Sequence, residues 1–245
     1  NPGGAAVPAL APWGSMQSVS TGFSIPRSWN WSVSLQRELP WWGLFGEIAY
    51  VGSDGSNLMR RPDINRPSFE DAEANAAGPR YNTNYIRPYK GYADIQMGLS
   101  DAGSSYHAAQ FFLSKRRGDL TFTLNYTLGR SYDNGSGNFD NPADGAEDLD
   151  YYWGPSDFYR THIFVGTWAY RLPFFKDNRG FLGQVLGGWE VSGITRYQTG
   201  GHLTVTGPTS IGGRRADYLG GDPYVDERIN PTTGAVQWLN RAAFA

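Results

Sequence analysis

The chain lacks cysteine, has only three methionines and carries no strong charge of either sign, with a formal net charge of −2. The absence of cysteine excludes a disulfide framework and any thiolate metal site. The near-neutral balance gives no general attraction to nucleic acid or to anionic lipid. No run approaches the roughly 20 apolar residues that a membrane-spanning helix needs. If the chain meets a membrane, we therefore expect it to do so with strands.

Apolar side chains occupy every second position near the start of the chain. Trp29, Trp31, Val33 and Leu35 alternate with serine, asparagine and glutamine, and a similar alternation covers 120–128. A period of two places the two sets on opposite faces of a β-strand. In a soluble sandwich the apolar face would point to a shared core, whereas in an outer-membrane barrel it would point to lipid and the polar face would line a wet interior.

The pattern along the chain predicts an all-β fold, an antiparallel meander. We expect a loop or linker over 1–26, strands and their loops over 27–206, and a loop-rich tail over 207–245. Arg27–Leu39 and 44–51 form a hairpin around Pro40, Trp41 and Trp42. Further strands are predicted at 92–99, 105–116, 119–131, 161–172, 188–199 and 202–206.

Connection lengths and aromatic residues favour a membrane barrel over a sandwich. The connections at 40–43 and 117–118 are short, while those at 53–90 and 132–160 are long. Short and long connections alternate along the chain, as they do in outer-membrane barrels, if 92–99 and 105–116 form one strand. Strands of about 10 to 13 residues suit tilted membrane strands, which need about 9–11. Aromatic residues gather near strand ends, as in the girdles of such barrels: Trp29, Trp31, Trp41, Trp42, Tyr50, Trp168 and Trp189.

Several short sequence segments, taken in order, resemble the sequences of a known family. They include WNWSVSLQRELP from Trp29, EIAYVGS from Glu47, SYHAAQ from Ser105, NYTLGRS from Asn125, SDFYRTH from Ser156, LPFF from Leu172 and GGWEVSGI from Gly187. Together they resemble a TonB-dependent outer-membrane receptor of the Oar-like type common in acidobacteria. The resemblance spans residues 29–194.

The resemblance implies part of a transmembrane β-barrel with long extracellular loops, located in the bacterial outer membrane. Such receptors are similar in having a plug and about 22 strands, of which we count seven or eight here, so we expect a barrel segment or a shortened relative. Implied partners are outer-membrane lipid, a TonB-type energising complex acting through an N-terminal region not seen here, and a nutrient, glycan or peptide ligand. Nucleic acid is not expected as a partner.

An acidic, aromatic loop is the candidate ligand site. We expect ligand contacts from residues that follow the glycine-rich stretch after Asp133: Asp144, Glu147, Asp148, Asp150, Tyr151, Tyr152 and Trp153. Exposed rings beside carboxylates suit stacking on sugars or gripping a peptide. An alternative is that the rings pack the loop onto the barrel rim.

No cofactor is expected, although Asp133, Asn138 and Asp140 could supply oxygen ligands to Ca²⁺. The spacing does not fit an EF-hand, and a solvated acidic loop is the favoured interpretation. No catalytic residue is nominated, because the histidines lack paired spacing and no nucleophile elbow or phosphate loop occurs. We therefore predict a transporter segment that is not an enzyme.

Two alternatives from other functional classes stay open. One is a structural or adhesive β-protein that reuses a barrel sequence and associates with copies of itself. The other is a soluble carbohydrate-binding sandwich or hydrolase, which is disfavoured because no carboxylate pair can be nominated.

Overall fold

The computed structural model describes residues 14–40, 42–78, 80–136, 149–174, 180–205, 215–225, 229, 234 and 236–244. Within these ranges the strands are β1 (Met16–Val19), β2 (Arg27–Leu39), β3 (Leu44–Arg60), β4 (Ile95–Lys115), β5 (Leu120–Asp133), β6 (Gly154–Pro155), β7 (His162–Arg171) and β8 (Glu190–Gln198). The helices are α1 (Phe69–Ala77), α2 (Thr83–Ile86) and α3 (Gly180–Leu186), with 3₁₀ turns at Leu149–Tyr152 and Arg241–Ala243. No helix in the described ranges is both long enough and apolar enough to span a bilayer.

The long strands form one antiparallel meander. The order in the sheet is β2-β3-β4-β5-β7-β8, so each long strand pairs with its neighbour in sequence. The two-residue β6 pairs with the end of β5, inside the connection to β7. The prediction of an all-β antiparallel fold is confirmed.

A short strand, β1, lies within the segment 1–26 that was predicted as loop. It runs parallel to the start of β4, and Gln96 pairs with both Gln17 of β1 and Asp63. Asp63 follows β3, so it pairs with Gln96 on the edge of β4 that faces β3. Gln17 must then pair with Gln96 on the opposite edge of β4, the edge that faces β5. β1 therefore lies beside β4 on the β5 side, beyond the point where β5 ends.

Strands β3 and β4 are longer than their alternation predicts. The segment predicted to end at 51 continues to Arg60, and the strands predicted at 92–99 and 105–116 are one strand, Ile95–Lys115. Their outer ends carry register shifts near Leu58. They are also joined by Arg60, whose guanidinium Nε lies 2.6 Å from the Asp101 carboxylate. The strand predicted at 202–206 is not found over 202–205, and residue 206 lies outside the described ranges.

The connections sort by length onto the two ends of the sheet. One end, the turn end, carries 40–43, 116–119 and 172–189, the last of which contains α3. Glycines with positive φ form its tight turns, at Gly43 (62°) and Gly118 (95°). The opposite end, the loop end, carries 61–94 and 134–161. A single β4 gives the alternation of short and long connections that barrels show.

Each strand divides its side chains between an apolar and a polar face, and the register keeps the faces continuous across the sheet. One row of the apolar face contains Leu35, Ile48, Phe111, Tyr126, Phe164 and Tyr197. The next row along the strands, on the polar face, contains Gln36, Glu47, Phe112, Asn125, Val165 and Arg196.

No second layer covers the apolar face in the described part of the chain. All exposed large hydrophobic residues of the long strands lie on that face except Ile194, and Leu35 is 75% exposed. Buried apolar side chains are few and mostly small, such as Ala49 and Ala108. A soluble sandwich would bury this surface against a second sheet. A single sheet that leaves its apolar face uncovered instead needs an apolar environment.

Candidate functional site: apolar band and loop end

The apolar face forms a band of limited height. On β3 it runs from Leu44 to Gly52, and on β4 from Leu113 to His107, before Asp54 and Ser105 replace apolar side chains. That is close to the 9–11 residues which a tilted strand needs to cross hydrocarbon. Beyond the band, β3 and β4 continue to the loop end without apolar alternation.

Aromatic side chains mark both ends of the band. Trp29, Trp31 and Tyr50 lie toward the loop end, while Trp168 lies toward the turn end of the same face. Two turn-end connections add solvent-facing rings: Trp42 is 74% exposed and Trp189 is 59% exposed. Trp41 lies outside the described residues. Their placement at headgroup level remains a prediction, which this distribution supports.

Tyrosine and histidine pairs occur twice on the apolar face, and sequence reasoning did not find them. The Tyr50 hydroxyl lies 2.7 Å from Nδ1 of His107, and the Tyr126 hydroxyl lies 2.7 Å from Nδ1 of His162. In each pair the histidine lies on the neighbouring strand, diagonally toward the loop end. The sequence does indicate that these tyrosines and histidines share a face, because each of them continues the apolar alternation of its strand.

Asn65 organises the first long connection at the loop end. Its fully buried side chain donates from Nδ2 to the carbonyls of Tyr89, Tyr92 and Ala93, and its Oδ1 accepts from the Tyr89 amide. Asp63 accepts from the backbone amides of Asn65 and Ile95. These bonds hold 63–95 as an ordered structure on the outer end of β4.

A groove on this first connection was also missed by sequence reasoning. It has a volume of about 410 Å³ and lies between α1 and α2. The Tyr81 and Tyr85 rings, with centroids 6.4 Å apart, form part of its wall. The side chains lining it are Asp71, Ala74, Asn75, Tyr81, Tyr85, Ile86 and Lys90. The sequence feature that could have indicated this groove is the presence of four tyrosines within 81–92.

The second long connection is tied to the end of β5 by buried hydroxyl groups. Ser131 and Ser156 are both buried, with their hydroxyl oxygens 2.8 Å apart. The buried Tyr159 donates its hydroxyl to the carbonyl of Gly129. Asn134 accepts the backbone amide of Gly103 from β4. The loop therefore packs against both strands.

The predicted ligand residues separate into three groups. Asp150, Tyr151 and Trp153 are exposed, the two rings at 40% and 43%. Tyr152 is 3% exposed, and the guanidinium of Arg215 lies 5.5 Å from the centre of its ring. Its ring therefore packs the loop and cannot stack on a ligand from solvent. Asp144, Glu147 and Asp148 lie outside the described residues.

In the described part of the suggested calcium site, the Asp133 carboxylate already accepts hydrogen bonds from its own loop. Asp133 is buried, and its Oδ1 accepts from the Gly135 amide and the Ser136 hydroxyl. Asn138 and Asp140 lie outside the described residues. Within the described residues, no group of three or more His, Cys, Asp or Glu side chains could hold a metal ion.

Comparison with known proteins agrees with the single sheet and its exposed apolar band. A family model described as an outer membrane beta barrel domain matches residues 1–245. No curated protein and no solved structure matches the chain. In this family the apolar face contacts lipid and the polar face lines the barrel interior. The chain therefore belongs to the outer membrane beta barrel domain family, and its strands form part of a transmembrane barrel in the outer membrane.

Proposed function

We propose that the chain is part of the barrel wall of a TonB-dependent nutrient transporter whose loop end faces the cell exterior. The strands would provide the wall and the polar interior, and the loops would capture the ligand. A TonB-type complex would supply the energy, and no covalent chemistry is required of this segment. The family membership supports a barrel in the outer membrane, while the transport function is our proposal.

One observation carries the proposal: the described parts of the loop end are held together by buried polar contacts. At the turn end, the connections need only to reverse the chain. At the loop end, β3 and β4 extend past the apolar band and support two connections through buried polar contacts. Asn65, Ser156 and Tyr159 are buried within those connections. Ordered loops with exposed rings are a common basis for ligand capture.

Within the loop end, the proposed ligand rim, we assign ligand contact to Asp150, Tyr151 and Trp153. The two rings project to solvent from a turn that Tyr151 anchors by donating its hydroxyl to the carbonyl of Arg215. Rigidly held rings lose little conformational entropy on binding. Tyr152 is excluded because it is buried.

Uptake by intact cells tests the proposal without knowing the ligand in advance. Cells with and without this protein are grown in a rich medium, and the loss of each small molecule from the medium is followed by mass spectrometry. We expect at least one compound to be taken up only when the protein is present. We expect a protonophore to stop that uptake, because the energising complex uses the proton gradient.

The combined substitution Tyr151→Ala and Trp153→Ala should lower the uptake rate about tenfold, consistent with the loss of about 1–2 kcal/mol of aromatic contact. Phe158→Ala is the matched control, since Phe158 is 66% exposed in the same connection. Uptake that persists with the protonophore would indicate a passive pore. Identical uptake by cells with and without the protein would exclude transport.

Self-association is a second candidate function, favoured by the two edges of the sheet. Among the described residues, neither the outer edge of β2 nor that of β8 has a strand partner. Unpaired edges are a template for pairing with another chain. Cross-linking in membranes distinguishes the cases: contact between β2 of one copy and β8 of the next supports assembly, whereas its absence contradicts it.

A further inference from the structure

We propose that Arg130 is the centre of a site for the phosphate of a lipid headgroup, on the outside of the barrel at the loop end of the apolar band. The site contains a guanidinium, hydroxyl groups and an imidazole on three neighbouring strands. It is separate from the proposed ligand rim, which belongs to the loops. It requires that the apolar face contacts lipid, and the choice of an outer-leaflet lipid rests on the proposed function, in which the loop end faces the cell exterior.

The register places Arg130 at the boundary of the band. On β5 it follows Leu128 on the same face, and Leu128 is 42% exposed. Directly opposite on β4 is His107, the last member of that strand's apolar run. The exposed guanidinium therefore projects from the wall where hydrocarbon ends and headgroups begin.

Neighbouring side chains hold this cluster in place. The guanidinium carbon of Arg130 lies 4.7 Å from the centre of the Tyr132 ring, and Nη2 donates to the Tyr132 hydroxyl at 3.2 Å. The imidazole of His107 lies between the Tyr50 hydroxyl at 2.7 Å and the Ser105 hydroxyl at 3.1 Å. Trp31 borders the imidazole, with ring centroids 5.7 Å apart.

Among the described residues, Arg130 has no acidic partner, and its guanidinium makes no hydrogen bond other than the one to Tyr132. Two described carboxylates come near this position: Asp157, in the connection that follows β6 beside β5, and Asp54, which lies opposite Ser105 and two strands away. Arg130 forms an ion pair with neither of them. At about 10 Å or more, the effect of Asp54 is largely screened by salt. A guanidinium presents parallel donors that match two oxygens of a phosphate.

The location selects a lipid as the source of the phosphate. The cluster is continuous with the apolar face, so a bound phosphate would have acyl chains beside Leu128 and Phe111. A soluble anion would gain only the charged contacts. At an interface of low dielectric constant these contacts are stronger than in water.

Native mass spectrometry of the full chain in detergent micelles tests the site with two probes, diphosphorylated lipid A and its dephosphorylated form. We expect the phosphorylated probe to be retained at least tenfold more strongly, in line with hydrogen bonds to charged groups. Arg130→Ala should remove this preference, and Arg130→Lys should restore it in part. Arg196→Ala is the matched control, because Arg196 is exposed on the polar face.

Three results would overturn the proposal. The first is equal retention of both probes, and the second is an equal loss of preference in Arg130→Ala and Arg196→Ala. The third is full displacement of lipid A by millimolar inorganic phosphate, which would show a site for the free ion instead. Equal retention of the two probes by the unaltered chain would overturn the proposal even if Arg130→Ala fails to fold. In that case Arg130→Lys, which keeps the charge and most of the side-chain length, serves as the second variant that assigns the preference to this position.

Discussion

Two tryptophans on the apolar face lie flat against a glycine of the adjacent strand. Trp31 covers Gly52, and Trp168 covers Gly193. A Cβ added to Gly193 would lie 2.8 Å from Cζ2 of the Trp168 indole. Aromatic rings placed over strand glycines compensate for the missing side chain and fix the register. These pairs therefore join β2 to β3 and β7 to β8 at the two outermost strand contacts of the sheet.

Gly52→Ala should lower the free energy of unfolding by about 1–3 kcal/mol, because its methyl group would overlap the indole of Trp31 and force it to move. Urea titration in micelles, followed by tryptophan fluorescence, measures the change. Gly46→Ala on the same strand is the control, since its Cβ would meet Leu113 Cδ1 at an ordinary 3.8 Å. Equal effects of the two changes would contradict the assigned role of the pair.

Asn65 offers a second test at the residue scale. Asn65→Ala leaves several buried backbone groups without their partner, and each unsatisfied group costs about 1–3 kcal/mol. We expect limited proteolysis to cut 61–94 much faster while the strands remain intact. Asn84→Ala, in the same connection, should change nothing, because the described structure gives that side chain no hydrogen bond. Equal cleavage of both variants would be inconsistent with an organising role.

Single residues at the site were only partly predictable from the sequence. Tyr151, Tyr152 and Trp153 are adjacent and aromatic, yet the middle ring is buried and the outer two are exposed. A loop has no regular period, so its pattern does not say which ring faces the protein. The Tyr152 ring also packs against Arg215, which lies far away in sequence.

At the scale of elements, the membrane contact of each strand face makes a sharp prediction. Phe111 lies on the apolar face in the middle of the band, and Gln110 beside it lies on the polar face. Phe111→Arg should cost about 2–4 kcal/mol of folding free energy in lipid vesicles, the usual penalty at the bilayer midplane. Gln110→Arg should cost less than about 1 kcal/mol, because its charge stays in water. Similar penalties, or a larger one for Gln110→Arg, would contradict the assignment of the two faces.

Strand ends were predictable only where they coincide with the lipid boundary. β2 agrees with its predicted limits, because Pro40, which cannot donate to a strand ladder, follows Leu39 directly. β3 was predicted to end at 51, since the segment after it shows little periodicity, although its hydrogen bonds continue to Arg60. Alternation of hydropathy therefore reports the membrane-crossing part of a strand, and the remainder gives no such signal.

The start of helix α1 carries a local sequence signal, although no helix was predicted there. Ser68 is its N-cap, with Oγ accepting the Asp71 amide at 3.1 Å, and Glu70 and Asp71 occupy the first turn. Serine followed by acidic residues is a helix start signature. The prolines around this segment pointed instead to irregular structure.

At the scale of the whole molecule, the two unpaired edges determine how the chain behaves by itself. We expect hydrogen exchange of the isolated chain in micelles to be fast for outward-pointing amides of β2 and β8 and slow for β4, which is paired on both sides. Slow exchange in all three strands would show that the edges find partners in solution. The full barrel requires such partners, since unpaired backbone groups are not tolerated in hydrocarbon.

The extension of β4 beyond the apolar band also determines how far the first connection stands from the membrane. The portion from Ile95 to Ser105 places the first connection roughly 25 Å above the hydrocarbon, for a strand tilted by about 40–45°. Charges on the membrane are screened within about 8 Å at physiological ionic strength. At that height an anionic solute is not repelled by the membrane surface. Under the proposed transport function, the rate at which the first connection captures such a solute should depend on its bulk concentration and diffusion, with little influence from the charge of the surrounding lipid.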